Sequence, residues 1–292
     1  MSEHPLRRLL ITDLDNTLWD WFAAWYASFS AMLDRLVELS EVPQAQLEAE
    51  IRAIHQARGT AEYSNLISEV PSLVRAAAPE DPRRAFDDAL HKLHSQRRSS
   101  TRLYPGVEEA LRTIKAAGVS VVAYTESVAY WTEWRIRHTG LDGVIDVLYS
   151  APDHDLPAGM TVEDLRTGYL PASAYGLRVT QHHHVPRGAI KPNTQVLGAI
   201  LDDQSCRPEE AVYIGDSLMK DIAMAQSVGV LDVHAKFGEV QNRPEYELLR
   251  RVSHWSDEDV ERERQLAETA GLIVPTLSCT AEFAEVLPVF GL

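Results

Sequence analysis

Cysteine is scarce in this chain: two in 292 residues, Cys206 and Cys279, far apart and without the spacing of metal ligands. That excludes a disulfide-built scaffold and a thiolate-held zinc site, and leads to the expectation of a cytoplasmic protein with free thiols. Excess positive charge is missing as well. Lys and Arg number 28 against 43 Asp and Glu, a formal net charge of −15. This argues against a nucleic-acid polymer or an anionic membrane as partner. A small phosphorylated metabolite stays open, because one metal ion and one lysine can reverse the field locally. No apolar run approaches the length of a membrane span, and too few apolar residues precede Thr12 for a signal-peptide core. Internal repeats and low-complexity stretches are absent. Oligomeric state is not readable.

What the chain does have is Leu9-Leu10-Ile11-Thr12-Asp13-Leu14-Asp15-Asn16-Thr17, an apolar strand running into two carboxylates at i and i+2. Alternate residues of a strand face the same way, so Asp13 and Asp15 are expected to project together from its carboxyl end. In open α/β sheets that end borders the ligand crevice. Two crowded carboxylates call for a cation between them or a division of labour, one as nucleophile and one as proton donor. Three further segments follow in order: Val119 to Thr125, a second strand ending in a hydroxyl; Ala189-Ile190-Lys191-Pro192; and Ala211 to Asp221, a strand ending in Gly215-Asp216 with Asp221 five residues beyond. The proline after Lys191 is expected to hold it extended.

Taken singly these features are ordinary. A threonine after a strand commonly caps a helix, a lone lysine is commonly solvated, and Asp216 with Ser217 could simply cap the next helix. In this order, across nearly the whole chain, DLDNT, the strand-end Thr125, Lys191-Pro192 and GDxxxxD resemble the haloacid dehalogenase-like hydrolase superfamily. The resemblance implies a doubly wound parallel α/β sheet of Rossmann-like type, with a helical cap inserted after the first strand. It also implies Mg²⁺, held by the Asp13 carboxylate, the Asp15 main-chain carbonyl and Asp216, with Asp221 behind them aligning metal waters or Lys191. Asp13 is then the nucleophile that forms an aspartyl-phosphate, and Asp15 the general acid and base. Thr125 binds a phosphoryl oxygen and Lys191 offsets charge on Asp13 and the phosphoryl group. The dehalogenases that named the superfamily lack an aspartate at the Asp15 position, so its presence favours phosphoryl transfer. Glu126 departs from the pattern, which commonly has a small neutral residue such as Asn there. A carboxylate at that place is expected to repel a phosphate unless it turns away or engages the substrate.

The expected organisation is a discontinuous core, residues 1–17 and 105–292, with helical apolar spacing at Trp21 to Leu39, Gln44 to Arg58 and Ala85 to Gln96 marking a cap over 18–104. A Pro-, Gly- and His-rich insertion, 150–188, is expected as a loop or hairpin near the site mouth. Leu272 to Leu277 could add a last strand. Trp19, Trp21, Phe22, Trp25, Tyr26 and Phe29 recur at helical spacing, which fits cap packing, with one or two rings stacking on a flat leaving group as the sharper alternative. His182-His183-His184 are read as an exposed loop, since successive side chains of a strand alternate and cannot all reach one ion. Trp131, Trp134, Arg135 and His138 are explained by core packing and charge placement at a helix end. The expected activity is hydrolysis of a small phosphomonoester. A phosphomutase, a dehalogenase and a non-catalytic phosphate-ligand-binding regulatory protein are the alternatives.

Overall fold

The computed structural model describes residues 6–153, 176–258, 261 and 273–292. Its spine is a parallel seven-stranded sheet: β1 (Leu9–Thr12), β2 (Ser120–Val128), β3 (Val147–Ala151), β4 (Gln181–His184), β5 (Ala211–Gly215), β6 (Leu231–Ala235) and β7 (Leu277–Cys279), in the order β4-β3-β2-β1-β5-β6-β7. From the central β1 the chain builds outward to β4, then returns to the other side of β1 to build β5 to β7. The switch falls at β1, where Leu9 to Thr12 pair with Ser120 to Ala123 on one side and Ala211 to Ile214 on the other. Strands buried on both faces read as continuous apolar runs. Accordingly Leu10, Val121, Ala123, Val212 and Ile214 point into one core layer, while Leu9, Ile11, Val122, Tyr124, Ala211 and Tyr213 point into the other.

Helices cover both layers. Val107, Ala110, Leu111 and Ile114, at i, i+3, i+4 and i+7, form the buried stripe of Val107–Ala116 against the first layer. Leu197, Ile200 and Leu201 do the same for Thr194–Asp203 against the second, with the Asn193 side chain capping that helix by accepting from Val196 N at 3.0 Å.

Between β1 and β2 stands a helical unit: α1 (Trp21–Ser40), α2 (Gln44–Arg58), α3 (Leu66–Glu69), α4 (Pro71–Ala77), α5 (Pro82–Ala85) and α6 (Asp87–Ser100). It has its own core, including Phe22, Trp25, Phe29, Leu33, Leu36, Leu47, Ile51 and Leu73. Phe22, Trp25 and Phe29 of the aromatic run belong to that core, whereas Trp19 packs into the first layer of the sheet. Trp19, Phe22, Trp25 and Phe29 are buried, and the Trp25 and Phe29 rings stack at 4.9 Å. Trp21 and Tyr26 are the rings of the run left partly exposed.

The unit is also more than an insertion between two strands. Val240, Tyr246, Leu248, Leu249 and Val252 join its core, although 105–292 was expected to belong to the sheet domain throughout. Helix Tyr246–Val252 lies against α2, Val252 O meets His55 Nδ1 at 2.6 Å, and Arg243 Nη1 donates to Asp20 at 2.9 Å. Apolar spacing in 240–258 marks a buried helix face but carries no mark of which domain it faces.

The histidine triplet is not a loop. Residues 181–184 form the parallel edge strand β4, and the rings alternate as a strand demands. His182 and His184 meet at 4.6 Å, while His183 stacks on Tyr149. The His182 ring bridges Glu133 Oε1 and Ser150 Oγ, each at 2.8 Å. The middle of the expected 150–188 insertion, 154–175, lies outside the described residues, as does Leu272. The last strand is formed instead by Leu277–Cys279. Among the described residues, no helix is long and apolar enough to cross a membrane.

Candidate active site at the carboxyl end of the sheet

Asp13 continues β1 by one residue, its N–H donating to Ile214 O at 2.8 Å. The chain then turns sharply. Asn16 takes a left-handed conformation (φ 62°) and its side chain accepts from Phe22 N at 3.1 Å, tying the turn to the start of α1. The Lys236–Gly238 turn presses on the same loop: a Cβ on Gly238 would lie 1.8 Å from Asn16 O, so only glycine fits.

The loop leaves the Asp13 carboxylate buried, with Thr17 Oγ1 donating to Oδ2 at 3.2 Å and Lys191 Nζ donating to Oδ1 at 2.6 Å. Lys191 also donates to Asp221 Oδ1 at 2.9 Å and lies over the Tyr124 and Tyr213 rings. The bond between Lys191 and Pro192 is cis. Burial works against the Lys191 charge, but Asp13 and Asp221 outweigh it and hold its pKa well above the ordinary value.

Asp221 sits in the π-helical turn Leu218–Ile222 that follows β5. Its Oδ1 also accepts from Tyr213 Oη at 2.9 Å and its Oδ2 from Ser217 N at 3.1 Å. The close fit requires Gly215, where a Cβ would come within 2.4 Å of Asp221 Cγ. Asp216 projects from the same strand end, and carboxylate oxygens of Asp13, Asp216 and Asp221 lie within 4.8 Å of one another.

Three carboxylates and one ammonium leave an excess of two negative charges. Burial pushes Asp13 up to about 7, with Lys191 opposing and Asp221 adding to the rise, and burial beside Asp13 and Asp221 raises Asp216 well above the carboxylate range. A hard divalent cation with oxygen ligands would restore neutrality and return both groups to their ionised form. The donor set therefore fits Mg²⁺. Asp221 accepts from Lys191 and Tyr213 at Oδ1 and from Ser217 N at Oδ2, one donor more than Asp13 accepts, so Asp13 and Asp216 are the carboxylates better placed to hold it.

Thr125 is buried near the carboxyl end of β2, next to β1, and its Oγ1 accepts from Ser127 N at 3.1 Å. The strand does not end there but runs on to Val128, which pairs with Ala151. Glu126 turns aside: its Oε1 accepts from Lys191 N at 2.5 Å and its Oε2 from Lys220 Nζ at 2.6 Å. The departure at this position thus supports the Lys191 backbone.

Asp15 has a set of partners of its own. Trp19 Nε1 donates to Oδ1 at 2.6 Å, Ser127 Oγ donates to Oδ2, and Arg135 Nη1 lies 3.7 Å from Oδ1. Arg135 stands in the last turn of helix Ala129–His138 and is 2% exposed, so it is both buried and a charge at a helix end. Thr17, Ser127, Tyr213 and Arg135 complete the site without having been singled out for it. Only Thr17 carried a sequence signal, its place four residues after Asp13.

Comparison with known proteins bears on the family and the fold. No curated protein matches the chain significantly. Among solved structures, a 2-haloacid dehalogenase from Pseudomonas syringae pv. Tomato DC3000 superposes with a TM-score of 0.55 at 20% identity, covering 98% of each chain. A protein described as the HAD-hydrolase YfnB from Bacillus subtilis, bound to magnesium, gives 0.50 at 16% identity, over 98% of this chain and 100% of its own. At such identities the likeness speaks for the fold. The family model for haloacid dehalogenase-like hydrolases matches residues 8–229, from the start of β1 past Asp221. The chain belongs to the haloacid dehalogenase-like hydrolases.

Proposed function

We propose that the protein is a Mg²⁺-dependent phosphatase that hydrolyses a small phosphomonoester through an aspartyl-phosphate on Asp13. The observation that carries this reading is the pairing of two differently furnished carboxyls at one strand end. Asp13 lies beside Lys191 in a cluster short of positive charge, and Asp15 lies among a hydroxyl, an indole N–H and a guanidinium.

Asp13 attacks phosphorus while Lys191 offsets charge on the carboxylate and the phosphoryl oxygens, and the Thr125 hydroxyl donates to one of those oxygens. Asp15 gives its proton to the departing alcohol oxygen and then takes one from the water that hydrolyses the aspartyl-phosphate; such transfer is typically worth about 10²–10⁴-fold. Asp13, Asp216 and the Asp15 carbonyl would hold the cation, which would supply charge neutralisation at the phosphoryl group. Asp221 orients Lys191, and Glu126 fixes the Lys191 backbone. A dehalogenase needs no proton donor for a departing halide, so the furnished Asp15 favours phosphoryl transfer.

The test is release of phosphate from a panel of metabolite phosphomonoesters and of halide from short 2-haloacids, with Mg²⁺ or EDTA. Phosphate release that EDTA abolishes and Mg²⁺ restores supports the proposal. Halide release without phosphate release contradicts it.

A further inference from the structure

Behind Asp15 runs a buried chain of alternating charge that crosses from the sheet domain into the helical unit. Arg135 Nη2 donates to Glu62 Oε1 at 2.5 Å, and Arg97 Nη2 reaches the same oxygen at 3.5 Å. Glu62 belongs to the segment between α2 and α3, and Arg97 to α6. Trp21 Nε1 donates to Glu62 Oε2 at 3.1 Å, and Trp131 Nε1, from the sheet domain, donates to Glu62 O at 2.8 Å. The Arg97 guanidinium lies 3.9 Å from the Trp131 ring centroid. Side chains of Arg135, Glu62 and Arg97 are only 3%, 6% and 7% exposed. Burial opposes the Glu62 charge, yet Arg135 and Arg97 outweigh it and lower its pKa. Among the described residues Arg135 Nη1 has no hydrogen-bond partner, and it lies 3.7 Å from Asp15 Oδ1. That is about 0.8 Å beyond a normal N–H···O bond.

We propose that Glu62, contributed by the helical unit, positions the proton-transferring Asp15 through Arg135, so that Arg135 and Glu62 are positioning residues for leaving-group protonation. The inference rests on the assignment of Asp15 as general acid. The donor inventory says which oxygen is used. Indole and guanidinium groups only donate, so Asp15 Oδ1, facing Trp19 and Arg135, is held as the acceptor oxygen. The proton is then carried on Oδ2, beside Ser127 Oγ, whose hydroxyl can accept as well as donate. During the step the phosphorus–oxygen bond to the alcohol breaks, Oδ2 passes its proton to that oxygen, and Asp15 is left as a carboxylate. Water returns the proton when the aspartyl-phosphate is hydrolysed. A helical unit that is not seated withdraws Glu62 and leaves Arg135 free to move its charge away from Asp15 Oδ1, while Trp19 and Ser127 keep their bonds to the carboxyl.

The experiment compares first-turnover phosphoenzyme formation from an alkyl phosphate, which needs a proton on its leaving oxygen, with that from p-nitrophenyl phosphate, which does not. Full-length wild type, Glu62→Gln, Arg135→Lys and Asp15→Asn are measured with Mg²⁺ present. Glu62→Gln and Arg135→Lys are expected to slow the alkyl reaction about ten- to hundredfold while the nitrophenyl reaction stays within about threefold, a share of the ordinary worth of general acid catalysis. The ratio is internal, because a loss of folded enzyme lowers both rates equally. Equal falls for both substrates, or no fall, in Glu62→Gln and Arg135→Lys, with Asp15→Asn still slowing the alkyl ester alone, overturn the positioning proposal and leave the phosphatase reading standing. An Asp15→Asn variant that slows both esters alike, or neither, removes the acid assignment and this inference with it.

Discussion

Two groups of buried charge lie near the end of β1, and they are built on opposite principles. In the Asp13, Asp216, Asp221 and Lys191 cluster the carboxyls outnumber the ammonium, and burial forces Asp13 and Asp216 upward in pKa. In the Asp15, Arg135, Glu62 and Arg97 chain, carboxylates and guanidiniums alternate one for one, and Glu62 is lowered despite being buried. The first is incomplete as a set of charges and asks for a cation. The second is complete and can serve as a framework. A buried charge is informative about chemistry when it is unbalanced, and about positioning when it is balanced.

The largest contrast is expected from breaking one member of each. Asp13→Asn removes the nucleophile, so phosphate release falls at least about 10³-fold. It also removes a charge from an overcharged cluster, so urea unfolding should show stability unchanged or higher. Glu62→Leu does the reverse damage to stability. It strands Arg97 as an unpaired buried charge and leaves Arg135 only the longer contact to Asp15, a loss of about 3–5 kcal/mol by the same unfolding measurement. Equal stability changes in the two variants would erase the distinction.

Acidity separates the clusters next. In the metal-free protein Asp13 has a folded pKa near 7 against 3.8 for the free side chain. The folded state then binds the extra proton between those values, and stability falls as pH rises through that window, by at most about 1.4 kcal/mol per pH unit for one group. Glu62 carries the opposite sign: its lowered pKa contributes stability that is present above its free value of 4.5 and is lost as pH falls below it. Urea midpoints of the EDTA-treated protein should therefore rise from pH 8 to pH 5, and saturating Mg²⁺ should flatten that rise by holding Asp13 ionised. An unchanged slope with Mg²⁺ would place the cation elsewhere.

How much of this was legible in the sequence follows from the range of the interactions. Asp13, Lys191 and Asp216 were readable because each stands at a strand end or beside a proline in a fixed order. The helices of the inserted unit were readable from apolar spacing, and α2 begins and ends at Gln44 and Arg58, as its periodicity predicts. Arg135 was not readable, since its role depends on Glu62, separated from it by 73 positions. The packing of helix Tyr246–Val252 on α2 was hidden for the same reason. Glu126 looked like a conflict because a carboxylate's direction is set by Lys220 and the Lys191 backbone, which spacing does not show.

The smallest expected effect comes from the edge of the helical unit. Arg251 pairs with Glu48 at 2.8 Å, but its side chain is 51% exposed. Arg251→Ala is accordingly expected to change unfolding free energy by no more than about 1 kcal/mol, with phosphate release unaltered. A loss comparable to that of Glu62→Leu would mean that burial does not govern these pairs.

The central claim is that Asp13 attacks phosphorus, and the stereochemical course at phosphorus tests it most directly, followed with a phosphorothioate monoester made chiral by oxygen isotopes and hydrolysed in water of the third isotope. Attack by Asp13 and then attack of water on the aspartyl-phosphate are two displacements, so net retention of configuration is the predicted result. Inversion would mean a single direct attack by water and would contradict the account.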